Sequence, residues 1–392
     1  MSSPARASGL PLVEDGAGRR PFMRGIMVHS LLSRGAGFDE AFRAATAVRD
    51  KIRGRETVRR EELAQMVGEL LGSSIEARPE AAGGSPAIVV RDDRRAEGAT
   101  TPFSKGFLTQ SLLAAAIDPD DAFAVARDIE TSLVARRVRE ISRDELRRIA
   151  YETLGAKLGA RVGERYRAWR EFQEAGKPLI LLLAGAAGVG KSALAHAVAT
   201  RLGITRVYST DAIRQVMRIM LSKELMPEIH ASSYDAHLTL PELLESDDPV
   251  IKGFRAQATA VTVGVRAMID RAVEENTSMI LEGVSILPGL VDPGRHARDA
   301  HVIFLTVSTL DREAFRSRFT ARASEAKQRP PHRYLENLDG ILRIQDHILE
   351  LAEAADLPIV DNRSFDESVL SILRHVTESL RSQGESSGSN PQ

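Results

Sequence analysis

From Ala150 onward, apolar positions recur with a helical period through Tyr166 and Trp169 to about Glu174, where Gly176-Lys177-Pro178 breaks the pattern. The texture then changes. Short apolar runs at Leu179–Leu183, Arg206–Ser209, Ser278–Leu281, His301–Val307 and Pro358–Val360 alternate with longer amphipathic stretches. That alternation predicts an α/β fold, a parallel sheet with helices on both faces. After the first run, Leu194, Val198 and Leu202 fall at i, i+4 and i+8, a single buried stripe. From Ser382 the sequence SQGESSGSNPQ is polar, and residues 382–392 are expected to form a disordered tail.

The N-terminal part repeats itself. PFMRGIMVHSLL from Pro21 returns as PFSKGFLTQSLL from Pro102, and Asp39-Glu40-Ala41-Phe42 returns as Asp120-Asp121-Ala122-Phe123. After a two-residue slip, VRREEL at Val58 answers ISRDEL at Ile141, and Leu71-Gly72 answers Leu154-Gly155. Each copy reads as an extended segment followed by three or four short helices. In the second copy, Ser142 and Glu145 have capping-box spacing, and Gly155 sits where a helix would end. The Gly/Pro/Ser/Ala stretch from Ser73 to Pro86 reads as the linker. The expected boundaries are 10–72 and 87–172 for the copies and 177–381 for the α/β domain.

Composition narrows the chemistry. Zero cysteines exclude disulfides, thiolate metal sites and cysteine nucleophiles. A formal net charge of −1 gives no global field for nucleic acid or anionic membrane, so neither is expected as a partner. No apolar run approaches the roughly 20 residues needed to span a bilayer, and MSSPARASGLPLVEDGAGRR has no apolar signal core. A soluble cytoplasmic enzyme is expected, with self-association into a homo-oligomer left open.

Residues 185–192 read GAAGVGKS and fit G-x-x-x-x-G-K-[ST], between the strand LILLLA and the helix SALAHAVATRL. Gly185, Gly188 and Gly190, with Ala186, Ala187 and Val189 between them, would let backbone N–H groups turn toward phosphate oxygens. The helix N-terminus at Ser192 and Ala193 adds partial positive charge. Lys191 would reach the β/γ-phosphates and the Ser192 hydroxyl would hold Mg²⁺, so ATP and Mg²⁺ are the expected cofactors. Glu282, closing the third strand run, is the carboxylate placed to hold Mg²⁺ through water.

Ligands of open α/β sheets lie beyond the carboxyl ends of strands. Asp211, in STDAIRQVMR after the second run, either takes or orients the acceptor hydroxyl's proton, or caps the next helix. Arg214 and Arg218, one turn apart, would bind an anionic acceptor or stay solvated. Lys252 and Arg255 could line the same site, as could His230, Tyr234 and His237. The Arg-rich segment Arg318–Leu338 reads as a mobile lid, with Arg322 and Arg329 as candidates to close on the transferring phosphate, or else as a solvated charged helix.

Taken together these stretches resemble the 2-phosphoglycerate kinases best known from archaea, from about Ile88 to Asn362. The resemblance rests on PFSKG at Pro102, ERYRAWR at Glu164, GAAGVGKS at Gly185, STDAIRQVMR at Ser209, SKELMPEIHASSY at Ser222, DPVIKGF at Asp248, LEGVSILPG at Leu281 and RYLENLDGILRIQ at Arg333. It implies an adenylate-kinase-like P-loop domain that phosphorylates the C3 hydroxyl of 2-phosphoglycerate. It also implies that residues 87–172 are an ATP-cone, a small nucleotide-binding module, with residues 10–72 a diverged second copy. The second copy keeps Arg91 and Lys105 as candidate nucleotide contacts, whereas the first has Val13-Glu14-Asp15 where cones carry basic residues. The alternatives are a kinase for another small phosphorylated or carboxylated acid and a nucleotide-sensing ATPase switch.

Overall fold

The computed structural model describes residues 11–15, 18–32, 38–71, 88–92, 100–243, 247–311, 313, 315 and 336–388. The chain divides into two compact units, Met1–Ala87 and Ile88–Gln392.

In the first unit, β1 (Leu12–Asp15) pairs antiparallel with β2 (Gly18–Pro21), and helices α1 (Arg24–Leu32) and α2 (Phe38–Lys51) follow. The chain returns as β3 (Thr57–Arg59), parallel to β1, and enters α3 (Arg60–Leu71). Phe22, Val48, Ile52, Val58 and Leu63 fill the space between helices and sheet.

The second unit opens with the same plan. β4 (Val89–Arg91) pairs antiparallel with β5 (Thr100–Pro102), α4 (Lys105–Ala114) and α5 (Pro119–Ala135) follow, and β6 (Glu140–Ser142) lies parallel to β4. The registers match: Leu12 faces Pro21 and Thr57, as Val89 faces Pro102 and Glu140. Even the cation–π contact recurs, Arg24 over Phe42 at 4.6 Å and Lys105 over Phe123 at 5.7 Å. Each copy therefore carries a three-stranded sheet where the sequence suggested one extended segment. Strands of three or four residues are too short to show a period of two.

The Ser142 hydroxyl accepts from Glu145 N at 3.1 Å and caps α6 (Arg143–Leu158) as its spacing predicts. Gly155 lies inside that helix; Gly159, at φ 96°, ends it instead. The helical pattern through Glu174 is thus two helices, α6 and α7 (Ala160–Ala175).

The main sheet is built from β7 (Leu179–Ala184), β8 (Arg206–Ser209), β9 (Met279–Gly283), β10 (His301–Ser308) and β11 (Ile359–Asp361). Its order is β11-β10-β7-β9-β8 and every pairing is parallel. Helix α8 (Lys191–Leu202) follows β7, and α9 (Thr210–Met220) follows β8. The 3-10 turns Pro227–His230, Ala236–Thr239 and Pro241–Leu243 then lead into α10 (Pro249–Glu274). Helix α11 (Leu338–Ala354) precedes β11, and α12 (Phe365–Gly388) closes the fold. All six residues of β7 are buried, which suits a central strand covered on both faces, at about 1.5–3 kcal/mol per fully buried Leu or Ile.

Two features depart from the expected boundaries. One apolar cluster runs without a break from the second copy (Ile88, Val90, Leu112, Trp169) into one face of the main sheet (Leu179, Leu181, Ile303), while a second cluster (Ile180, Leu182, Leu281, Phe304) covers the sheet's other face. The terminal helix continues past Ser382, whose hydroxyl donates to Glu378 O at 3.0 Å, where a structureless tail was expected. No helix among the described residues is long and apolar enough to cross a membrane.

Candidate active site

The loop Gly185–Gly190 joins β7 to α8 at the carboxyl edge of the sheet. Gly185, Gly188 and Gly190 have φ of 145°, 88° and 91°, which side chains rarely tolerate. A Cβ on Gly185 would also lie 2.2 Å from Val307 O of the neighbouring strand. Ala186 and Val189 are buried and shape the loop from below. Lys191, 7% exposed, folds across it and donates to Ala186 O at 2.7 Å. Its ammonium is thus held against the loop. The Ser192 hydroxyl donates to Glu282 Oε1 at 2.8 Å, and Ala193 sits exposed in the first turn of α8.

Parallel pairing of β9 with β7 and β8 sets Glu282 opposite Leu183 and Ser209, so the carboxylate reaches the loop. Glu282 is 6% exposed. Hydroxyl and carboxylate oxygens side by side suit a hard cation that keeps most of its water, so Ser192 and Glu282 fit Mg²⁺. A residue the sequence gave no reason to single out supports the loop from behind. Asn362, at the end of β11, donates Nδ2 to Val189 O at 2.8 Å. Only the fold brings together two positions so far apart in the chain.

The acceptor side lies at the ends of β8 and β9. Ser209, not Asp211, caps α9, accepting from Ala212 N at 3.1 Å. This frees the Asp211 carboxylate, which is 55% exposed and has Arg214 Nη2 at 3.4 Å. A Cβ on Gly283 would fall 1.8 Å from Thr210 Oγ1, so the start of α9 presses directly on the turn after Glu282. Arg214 also donates to two backbone carbonyls of the 3-10 segment. Arg218 donates to Gln215 Oε1 at 3.2 Å. Lys252 and Arg255 are exposed one turn apart near the start of α10, with no ion pair among the described residues. His230 donates Nε2–H to Leu221 O at 2.9 Å, while Tyr234 is buried and His237 packs on Gly253. These three line the fold of the segment. Arg322 and Arg329 lie outside the described residues.

A 2-phosphoglycerate kinase of Methanococcus maripaludis is 40% identical over 281 residues, covering 71% of this chain and 89% of that enzyme. One from Pyrococcus horikoshii is 35% identical over 290 residues, covering 74% and 94% respectively. The chain belongs to the 2-phosphoglycerate kinase family. It is an ATP-dependent phosphotransferase with a parallel-sheet P-loop fold. The Thermococcus kodakarensis member, 34% identical, is covered over 99% of its length by 76% of this chain, so about a quarter of this kinase has no counterpart there. Among solved structures, a shikimate kinase from Bacteroides thetaiotaomicron aligns with 51% of this chain at 19% identity and a TM-score of 0.28. The ATP cone domain matches residues 93–175.

In the second copy, the two basic residues singled out in the sequence both face acids. Arg91 pairs with Glu140 at 2.9 Å, and Lys105 pairs with Glu130 at 3.0 Å. A cavity of about 1300 Å³ opens elsewhere, and neither residue lines it. Arg143, Arg147 and Arg170 do, with Ser104, Ser111 and the exposed ring of Phe107. Its far wall belongs to the kinase sheet, at Lys177, Pro178 and Ser278. Arg143 pairs with the buried Asp92 at 2.9 Å, Arg147 bonds Glu174, and Arg170 donates to Ser111 Oγ at 3.3 Å. Nε of Arg147 and of Arg170 is buried without a partner. Burial, with Arg147 and Arg143 nearby, pulls the Arg170 guanidinium below its ordinary pKa. Arg143 and Arg147 lie one turn apart on α6 while Arg170 comes from α7, and it is this meeting of two helices that the sequence does not signal.

Proposed function

We propose that this kinase transfers the γ-phosphoryl group of ATP to the C3 hydroxyl of 2-phosphoglycerate, giving 2,3-bisphosphoglycerate. The observation that carries this reading is the shared rim. The phosphate loop with its Ser192–Glu282 pair meets the end of β8, where Ser209 lies opposite Glu282 and the exposed Asp211 carboxylate follows two residues on; Lys252 and Arg255 are exposed on α10. One half suits a nucleotide triphosphate, the other a small acid with a hydroxyl to be deprotonated.

The loop N–H groups and Lys191 hold the β- and γ-phosphates, Lys191 exchanging the Ala186 carbonyl for a phosphate oxygen. Ser192 and Glu282 would hold Mg²⁺, which would supply positive charge to neutralise the triphosphate. Asp211 accepts the proton of the C3 hydroxyl as the new oxygen–phosphorus bond forms and the bond to ADP breaks. The cations on α9 and α10 fix the acceptor's phosphate and carboxylate, so catalysis is chiefly alignment and charge neutralisation.

ADP release, followed across a panel of phospho-acids with phosphorus NMR of the product, tests this. Turnover is expected with 2-phosphoglycerate, far above that with 3-phosphoglycerate, glycerate or water. Asp211→Asn should reduce kcat roughly 10²-fold or more with ATP affinity unchanged, since it alters proton transfer rather than nucleotide contacts. Equal rates across the panel, or collapse of ATP affinity in Asp211→Asn, would refute the assignment.

The three-arginine cavity favours a second, regulatory reading alongside the first. An anionic nucleotide would set its phosphates against Arg143, Arg147 and Arg170 and its base against Phe107. Arg91 and Lys105 would then act at the margin of that site, through the acids they already pair with.

A further inference from the structure

Arg214 is held in a way that an anion-binding arginine is not. Its Nη1 donates to Ile229 O at 3.1 Å and to Ala231 O at 2.6 Å, and its Nη2 faces Asp211 Oδ1 at 3.4 Å. The side chain is only 18% exposed. From the neighbouring helix α10, Gln257, 1% exposed, donates Nε2 to Glu228 O at 2.6 Å and to Ala231 O at 3.1 Å. Two side chains from two helices therefore converge on one carbonyl, that of Ala231. Between them they satisfy three backbone acceptors of the 3-10 segment, which has no strand or long helix to do so.

An incoming phosphate would have to compete with these bonds. Turning the guanidinium toward a ligand would strip donors from part-buried carbonyls, an unfavourable exchange. Among the described residues, Lys252 and Arg255 make no such bonds.

We propose that Arg214 is a positioning residue and not an anion ligand. With Gln257 it clamps Pro227–Ala231 between α9 and α10, and through its second nitrogen it orients the Asp211 carboxylate at the end of β8. Arg218, Lys252 and Arg255 are left to meet the acceptor's charges. The role at Asp211 rests on the reading above, in which that carboxylate faces the acceptor hydroxyl. The planar fork is required, because a lysine ammonium on a flexible stem does not span two carbonyls and a carboxylate at once.

A double-mutant cycle in the full chain tests the clamp, using Arg214→Lys, Gln257→Met and the pair. Two readouts are taken: kcat and KM for 2-phosphoglycerate, and hydrogen exchange at the amides of 227–231. Each single variant is expected to lower kcat at least about tenfold while acceptor KM moves less than about threefold, the signature of lost alignment. The pair should be little worse than the poorer single variant, because both remove one clamp. Exchange at 227–231 should quicken in all three, a readout that survives even in an inactive variant. Additive effects on kcat overturn the proposal. So does an Arg214→Lys enzyme with raised acceptor KM, unchanged kcat and unchanged exchange, which is what an anion ligand would give. Asp211→Asn is measured beside them. Full activity there with coupled clamp variants would refute the base assignment and the tie to the carboxylate, and support the clamp on 227–231.

Discussion

Lys191 folds over the phosphate loop with a hydrogen bond to Ala186 O, and its contribution to turnover is made when a phosphate replaces that carbonyl. Lys191→Ala should therefore leave the melting temperature nearly unchanged and lower kcat by at least 10²-fold, about 2.7 kcal/mol of transition-state stabilisation. A folded variant keeping more than about a tenth of wild-type kcat would remove Lys191 from the mechanism. Gly185 differs in kind. A side chain there meets the Val307 carbonyl of a central strand, which has no room to move, so loop shape and fold stability are coupled at that residue. The GAAGVGKS spacing made both residues legible, because phosphate binding dictates residue type position by position. Asn362 was not legible, since its hydrogen bond to Val189 O comes from the end of a strand near the other end of the domain.

The insert between β8 and β9 shows how elements, and not single contacts, build the acceptor side. Helix α10 approaches the 3-10 segment so closely that a Cβ on Gly253 would lie 2.3 Å from His237 N and 2.5 Å from His237 Cα. Backbone atoms yield less readily than a side-chain tip, so Gly253→Ala must push the segment away from the helix. The expected result is a fall in kcat/KM for the acceptor of roughly tenfold or more with unaltered binding of a non-hydrolysable ATP analogue. Calorimetry with that analogue beside steady-state kinetics would check it, and a parallel loss of nucleotide affinity would contradict it. The parallel strands and their helices were readable from apolar runs and their spacing. The insert was not, because its short 3-10 turns carry no sustained period and its anchors, Arg214 and Gln257, sit in helices on either side. Asp211 was left between capping and chemistry by its position alone; the Ser209 cap resolves the local half of that choice.

At the scale of the molecule, duplication has produced two modules with one topology and different surfaces. By sheet register and helix start, Glu14 of the first copy stands where the second has Arg91, and Ala64 stands where the second has Arg147. The first copy thus lacks cations at those two positions. A non-hydrolysable ATP analogue is accordingly expected to bind at two sites per chain, the phosphate loop and the second copy. Arg147→Gln with Arg170→Gln should reduce this to one, and Lys191→Ala should weaken only the other. Titration calorimetry reads the stoichiometry directly; two intact sites in the arginine variant would exclude the cavity as a nucleotide site.

By itself, the sequence determined the α/β layering, the phosphate loop, the repeat and its offset, and the acid at the end of each acceptor-side strand. These are local facts: apolar period, glycine placement and the residue types that phosphate chemistry demands lie within short stretches of chain. Tertiary structure alone decided the apolar cluster joining the second repeat to one face of the kinase sheet, the gathering of Arg143, Arg147 and Arg170 around one cavity, and the hold of Asn362 on the loop. It likewise decided that Arg214 spends its donors on backbone carbonyls. Each depends on which distant segments meet, and a side chain's hydrogen-bonding partner is fixed by that meeting rather than by its neighbours in the chain.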